Sequence, residues 1–215
     1  MFVNHYSHIF LKGIRMKLIK KFAYKSANYI QKSNKTTNEN KRILYFGFQA
    51  IYGDLVKMII VICISLLLQS LLPVLTLTLA FALLRRYAGG FHMDTEGKCI
   101  LATVSSFILV GTIIGKINIQ LNVFLIIALN TIAFIICLIL LIKYSPRDCI
   151  NRPIDDSEAI VFKNKSIRDL ILLILISIFL AFIGQPILSI SIIAGIVIEI
   201  FTLVPIGYRL FGLLN

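Results

Sequence analysis

The sequence predicts an all-α, polytopic membrane protein with about six transmembrane helices and an N-terminal amphipathic interfacial helix. Three observations predict it. Hydrophobic residues fill 58% of 215 positions and charged residues only 15%, outside the ranges usual for soluble domains. The apolar residues fall in runs of membrane-crossing length. The Lys and Arg residues behind the net charge of +12 lie mainly outside those runs, where they set topology; nucleic acid is therefore excluded as a partner.

Residues 1–42 form a basic segment with ten of the twenty-two Lys and Arg, among which Ile14, Leu18, Ile19, Phe22 and Ile30 are spaced as on a helix. This predicts a helix lying on an anionic bilayer surface. No compact apolar core and cleavage site follow the charges, so the segment reads as retained; Met1 and Met16 are both candidate starts, and His5 and His8 are surface residues. Residues 32–42 are polar and lack periodicity, which predicts a loop.

The membrane domain spans 43–215. Residues 43–54, with Tyr45, Gln49 and Tyr52, suit an interfacial helix leading into a first span at 55–72, with a tight turn over Gln69–Pro73. The second span, 74–84, is short for a core of ~30 Å and is expected to begin before Pro73 or to tilt. Further spans are expected at 99–115, 121–142, 169–183 and 187–206, separated by a turn at 116–120, a charged loop at 143–168 and the Gly184-Gln185-Pro186 turn. With both termini in the cytoplasm, every Lys and Arg except Lys116 falls on or beside the cytoplasmic face. The polar segment 85–99 and the 143–168 loop then face the cytoplasm too.

Residues 85–99, RRYAGGFHMDTEGKC, interrupt the apolar chain and hold the only histidine outside the N-terminal segment. A thiol is a useful nucleophile as the thiolate, which an imidazole, a helix N-terminus or nearby cations favour. Cys99 is offered all three: His92 as base, Arg85, Arg86 and Lys98 as cations, and the expected start of a span. Seven residues of straight helix would hold His92 and Cys99 ~10 Å apart, so the backbone must fold back, and Gly89, Gly90 and Gly97 allow it. On spacing alone, a solvated loop in which neither residue does chemistry serves at least as well.

No metal site and no cofactor are expected. Asp94 and Glu96 read as ordinary loop carboxylates, and the HExxH, GxSxG and Walker A patterns are missing. Cys63 and Cys137 fall inside apolar runs as small hydrophobes, and no role is assigned to Cys149.

Arg85, Ala88, Gly89, Gly90, His92 and Cys99 together resemble the signature of the accessory gene regulator B (AgrB) family of Gram-positive bacteria. Residues 45–57, YFGFQAIYGDLVK, resemble the start of that family's first span. Residues 144–154, YSPRDCINRPI, resemble its cytoplasmic loop, with Pro146, Asp148, Asn151 and Pro153 matching. Residues 1–15 look like an extension.

The resemblance implies a membrane cysteine endopeptidase, Cys99 attacking and His92 acting as base. Its substrate would be an AgrD-type precursor peptide, cut on its C-terminal side. An acyl-thioester would form, and an internal Cys or Ser of the peptide would close it to a thiolactone or lactone for quorum sensing. An acidic tail on that peptide would be drawn to Arg85, Arg86, Lys163, Lys165 and Arg168, which serve equally as topology anchors. Partners are then the precursor and an anionic bilayer of the cell membrane. The number of subunits stays open, a homodimer included. A peptide-exporting permease or a scaffold without chemistry is the alternative; its support would be charge within the spans, where Glu199 is the only deep charge and Asn130 the most conspicuous deep polar residue.

Overall fold

The computed structural model describes residues 3–34, 37–91, 96–117, 122–147 and 155–213. Every element among them is an α-helix: α1 (Val3–Asn34), α2 (Asn38–Leu67), α3 (Leu71–Ala88), α4 (Glu96–Lys116), α5 (Val123–Tyr144), α6 (Asp156–Phe182), α7 (Pro186–Leu203) and α8 (Pro205–Leu213). Five of the described helices, α2, α3, α4, α5 and α7, are long and apolar enough to cross a bilayer, and the chain is an all-α polytopic membrane protein. The other expected span lies in α6, a 27-residue helix that carries charge through Arg168 and Asp169. Its uncharged stretch, 170–182, extends roughly 20 Å at the rise of a helix, less than a bilayer core.

Contacts divide the chain into two compact units, 1–60 with 95–101 and 61–94 with 102–215. In the first, Ile19, Ala23 and Ala27 recur every four residues along α1 and are all buried. Side chains of α2 meet α1 around that row. Ser26 and Tyr52 share a hydroxyl hydrogen bond of 2.8 Å, Lys41 Nζ donates to Asn28 Oδ1 at 2.9 Å, and Gln31 Nε2 donates to Asn38 Oδ1 at 2.8 Å. Tyr24 meets Tyr45, and Phe22 meets Tyr52, edge to face. Leu18 and Phe22 stay exposed.

The loop expected over 32–42 is corrected. The first helix runs through Asn34 and the second starts at Asn38, with Thr37 Oγ1 accepting the Asn40 N–H at 3.3 Å as a cap. These residues are mostly exposed, so a missing apolar period signalled a missing buried face and not a missing helix. The interfacial helix and first span likewise merge into the single α2.

The core of the second unit is built by α3, α5, α6 and α7. Ala80, Leu84 and Ala88 on α3, and Ile192, Ile196, Ile200 and Leu203 on α7, form matching rows at intervals of three and four, joined by Cys137, Leu141, Leu170, Leu173 and Ile174. The two helices approach closely at Gly195, where a Cβ would strike the Leu77 carbonyl and lie 2.9 Å from Ala80 Cβ. Helices in lipid gain by such van der Waals contact, and a small residue permits it. A polar ladder crosses the same bundle: Asn130 Nδ2 of α5 donates to Ser189 Oγ of α7 at 3.3 Å, and Ser189 Oγ pairs with Ser177 Oγ of α6 at 2.9 Å.

The turn expected over Gln69–Pro73 closes over Leu68–Ser70, with Gln69 at φ +56° and the Ser70 N–H donating to the Ser65 carbonyl at 2.9 Å. Pro73 falls in the first turn of α3, where its missing N–H costs nothing, so the second span does begin before it. The 143–168 loop is shorter than expected, because α5 continues through Tyr144 and α6 begins at Asp156, with Asp156 and Glu158 in the first turn where carboxylates favour a helix. The last span ends at Leu203, and Pro205 opens α8.

Candidate active-site segment

Arg85 and Arg86 sit in the last turn of α3, and Gly89 terminates the helix, its N–H donating to the Arg85 carbonyl at 3.0 Å. The chain then takes conformations reserved for glycine: Gly89 has φ +76° and Gly90 φ +136°. Both positions also lack room for a side chain. A Cβ at Gly89 would strike the Arg147 carbonyl, and one at Gly90 would lie 2.5 Å from Thr202 Oγ1 and 2.6 Å from Arg85 Nη1. The paired glycines are therefore required by close packing as well as by backbone geometry.

Three contacts hold this turn. The Arg147 N–H donates to the Ala88 carbonyl at 3.0 Å, giving a parallel bridge between Gly89 and Arg147. Pro146, one of the expected motif residues, therefore lies beside the end of α3 in the chain segment that forms this bridge; Ser145, just before it, is within 3.3 Å of Ser166 Oγ on α6. The Phe91 N–H donates to the Thr202 carbonyl at 3.2 Å, and the Phe91 carbonyl accepts from Arg85 Nη2 at 2.7 Å. Arg85 Nη1 reaches Glu199 Oε2 at 3.2 Å and Thr202 Oγ1 at 3.1 Å. The Arg85 side chain is only 20% exposed and Glu199 is fully buried.

Arg86 has a different neighbourhood. Its Nη2 lies 3.0 Å from Asp169 Oδ2, and Arg168 Nη2 lies 3.0 Å from Oδ1 of the same carboxylate. Asp169 is 4% exposed while the two arginines keep about half of their surface. The Tyr87 ring lies 4.8 Å from the Arg86 guanidinium and 5.2 Å from Lys165 Nζ. Arg86, Lys165 and Arg168 thus form one basic cluster on α3 and α6, with Lys163 half-buried on α6. Arg85, expected beside them, is turned inward to Glu199.

Cys99 lies in the first turn of α4, partly exposed, in the other compact unit. The N–H groups of that turn have no acceptor within the helix, and together with the helix dipole they favour an anion. The helix starts three residues earlier than expected, so the thiol sits inside the turn. Ser105 and Ser106 both donate to the Ala102 carbonyl, at 3.2 and 2.7 Å, which leaves backbone amides as the better anion donors. His92, Asp148 and Pro153 lie outside the described residues. Among the described residues no cluster of His, Cys, Asp or Glu could hold a metal ion.

Sequence reasoning missed the role of Glu199 and Thr202. A signal was present, since a carboxylate deep in a span needs a cation and Arg85 stands at a span end, but the two are 114 residues apart in sequence.

Residues 23–203 match the family model for accessory gene regulator B. The chain is similar to the accessory gene regulator protein B of Staphylococcus aureus strain MW2, 26% identical over 182 residues, which cover 85% of this chain and 92% of that one. It is 29% identical, with the same coverage, to the protein of that name from strain JH9. No solved structure matches the chain.

Proposed function

The chain belongs to the accessory gene regulator B family, and we propose that it is a membrane cysteine endopeptidase that cleaves an AgrD-type precursor peptide on its C-terminal side and closes the remaining part into a thiolactone or lactone. The observation that carries this reading is the placing of Cys99, partly exposed in the first turn of α4, within a family-matched stretch that also holds His92.

His92 takes the Cys99 proton, and the thiolate adds to the scissile carbonyl. As the C–N bond breaks, His92 returns that proton to the leaving amine, which departs with the C-terminal tail. The N-terminal part stays on Cys99 as a thioester. An internal Cys or Ser of the peptide then gives its proton to His92, attacks the thioester carbonyl and displaces the Cys99 thiolate, which is reprotonated. No water is consumed. Because hydrolysis of the thioester runs downhill while thioester exchange is nearly balanced, the site must exclude water until the ring closes, which a membrane boundary favours.

Arg86, Lys163, Lys165 and Arg168 supply the positive field that an acidic tail would follow, and the basic α1 suits an anionic bilayer. In this reading both termini and the catalytic segment are cytoplasmic. The transport alternative loses its main support, since the one deep carboxylate, Glu199, is bonded to Arg85 and Thr202.

The test is a mass measurement on protein in lipid, without ATP or added metal. A precursor whose internal nucleophile is changed to Ala should accumulate as a hydroxylamine-labile adduct on the wild-type protein and not on Cys99→Ala, while the natural precursor turns over to a product lighter than the linear acid by one water. Linear acid from both substrates would mean plain hydrolysis, and neither adduct nor ring would mean transport or scaffolding.

A further inference from the structure

The proposed base follows directly on Phe91, and both backbone polar groups of Phe91 are tied to one buried cluster. Its N–H donates to the Thr202 carbonyl at 3.2 Å and its carbonyl accepts from Arg85 Nη2 at 2.7 Å. The other guanidinium nitrogen, Nη1, is held by Glu199 Oε2 at 3.2 Å and Thr202 Oγ1 at 3.1 Å, and Thr202 Oγ1 in turn donates to the Glu199 carbonyl at 2.8 Å. Gly90 packs so closely on Arg85 and Thr202 that a Cβ would overlap both. We propose that Glu199 is a positioning residue for the reaction: through Arg85 and Thr202 it fixes the backbone at Phe91, the residue that precedes the proposed base.

The energetics favour a placing role over a purely stabilising one. Burying a charge within a span is costly, and a buried ion pair is commonly matched or exceeded in stability by apolar residues of similar volume. What an apolar pair cannot do is orient a planar donor. The guanidinium reaches three acceptors from two nitrogens held in one plane, whereas the three donors of an ammonium radiate from a single nitrogen that turns freely on its stem. Glu199 and Thr202 fix that plane, which leaves Nη2 aimed at Phe91.

The proposal rests on the reading of His92 as base, and its test separates the two. Full-length protein in lipid is assayed on the precursor, and the same protein carrying His5→Gln and His8→Gln, so that His92 is its one histidine, is examined by NMR of the imidazole. Glu199→Gln keeps the shape, and Thr202→Val removes one anchor of Arg85 without stranding a charge. Arg85→Lys tests the fork. Each is expected to lower kcat about tenfold to a hundredfold, as small misplacements do, with KM within about twofold. The single His92 imidazole resonance should broaden or split. Wild-type kcat in Glu199→Gln, or reduced kcat with an unchanged resonance, would overturn the positioning role. Should Glu199→Gln fail to insert, Thr202→Val is judged by the same pair of readings. Activity surviving in His92→Ala would instead sink the assignment of the base, and the resonance would still report whether Glu199 orders residue 92.

Discussion

Arg147 donates its backbone N–H to the carbonyl of Ala88 at 3.0 Å, so the residues that follow α5 are laid against the end of α3 beside the first glycine of the polar segment. Residues 88–89 and Arg147, which belong to two stretches recognised separately in the sequence, therefore meet. The bridge explains why a motif glycine precedes the histidine by three positions: at Gly89 the Arg147 carbonyl occupies the place of a side chain.

Gly89→Ala should therefore damage the protein in two ways. A Cβ at φ +76° costs on the order of 1–3 kcal/mol in backbone strain, and it must push Arg147 aside. Thermal unfolding in detergent should show a lowered midpoint, and cleavage should fall further than stability alone accounts for. Unchanged unfolding and cleavage would contradict the packing described at Gly89.

Arg86 and Arg168 share one nearly buried carboxylate, which makes their effects non-additive. Removing either arginine alone should cost about 1 kcal/mol or less, because each is half-exposed and the other still pairs with Asp169. Removing both strands a buried charge, a situation that costs about 3 kcal/mol or more. A double-mutant cycle on unfolding free energy checks this, and simple additivity would count against it.

If the same cluster draws an acidic tail, KM for the precursor should rise with ionic strength while kcat holds, since exposed charges are screened over about 8 Å at physiological salt. A precursor with a neutral tail should show no such dependence. Steady-state kinetics from low to high salt make the comparison.

Packing at Gly195 predicts a cost independent of chemistry. Gly195→Val adds atoms where even a Cβ meets the Leu77 carbonyl and Ala80, and overpacking of this kind costs typically about 1–3 kcal/mol. Unfolding in detergent measures it.

The proposed orientation, with the catalytic segment cytoplasmic, is tested by labelling. With native cysteines replaced, single cysteines at positions 96 and 155 should be labelled only from the cytoplasmic side and one at 118 only from outside. Labelling of position 96 from outside would reverse the arrangement.

Most helices were legible because apolar run length and flanking charge report burial in a membrane directly: Pro73 inside α3, the Gly184–Pro186 turn and the start of a helix beside Cys99 all follow from local residues. What was not legible depended on distance along the chain or on polar helix. Residues 32–34 and 38–42 are helical without an apolar face, and the charged stretch 156–168 is helix for the same reason. Arg85 carried a correct local signal, a cation at a span end. Its partner Glu199, however, lies on another helix, and no period in a sequence joins two such positions. Glycines 89 and 90 were assigned to backbone freedom, and the close approach of Arg147 and Thr202 adds a reason that only the folded chain supplies.

The ladder of Asn130, Ser189 and Ser177 has a consequence for assembly. A helix faced with leucine and isoleucine can slide along its neighbours in lipid at little cost, because hydrocarbon meets hydrocarbon at every offset. Three hydrogen-bonding side chains at one depth work like the pins of a lock: displacing α5 by a turn takes the Asn130 amide from Ser189 and leaves it only its bond to the Ile126 carbonyl of its own helix. The vertical alignment of α5, α6 and α7 is thus selected by a few polar atoms, and α7, aligned in this way at its N-terminal end, carries Glu199 and Thr202 to the depth at which Arg85 waits for them.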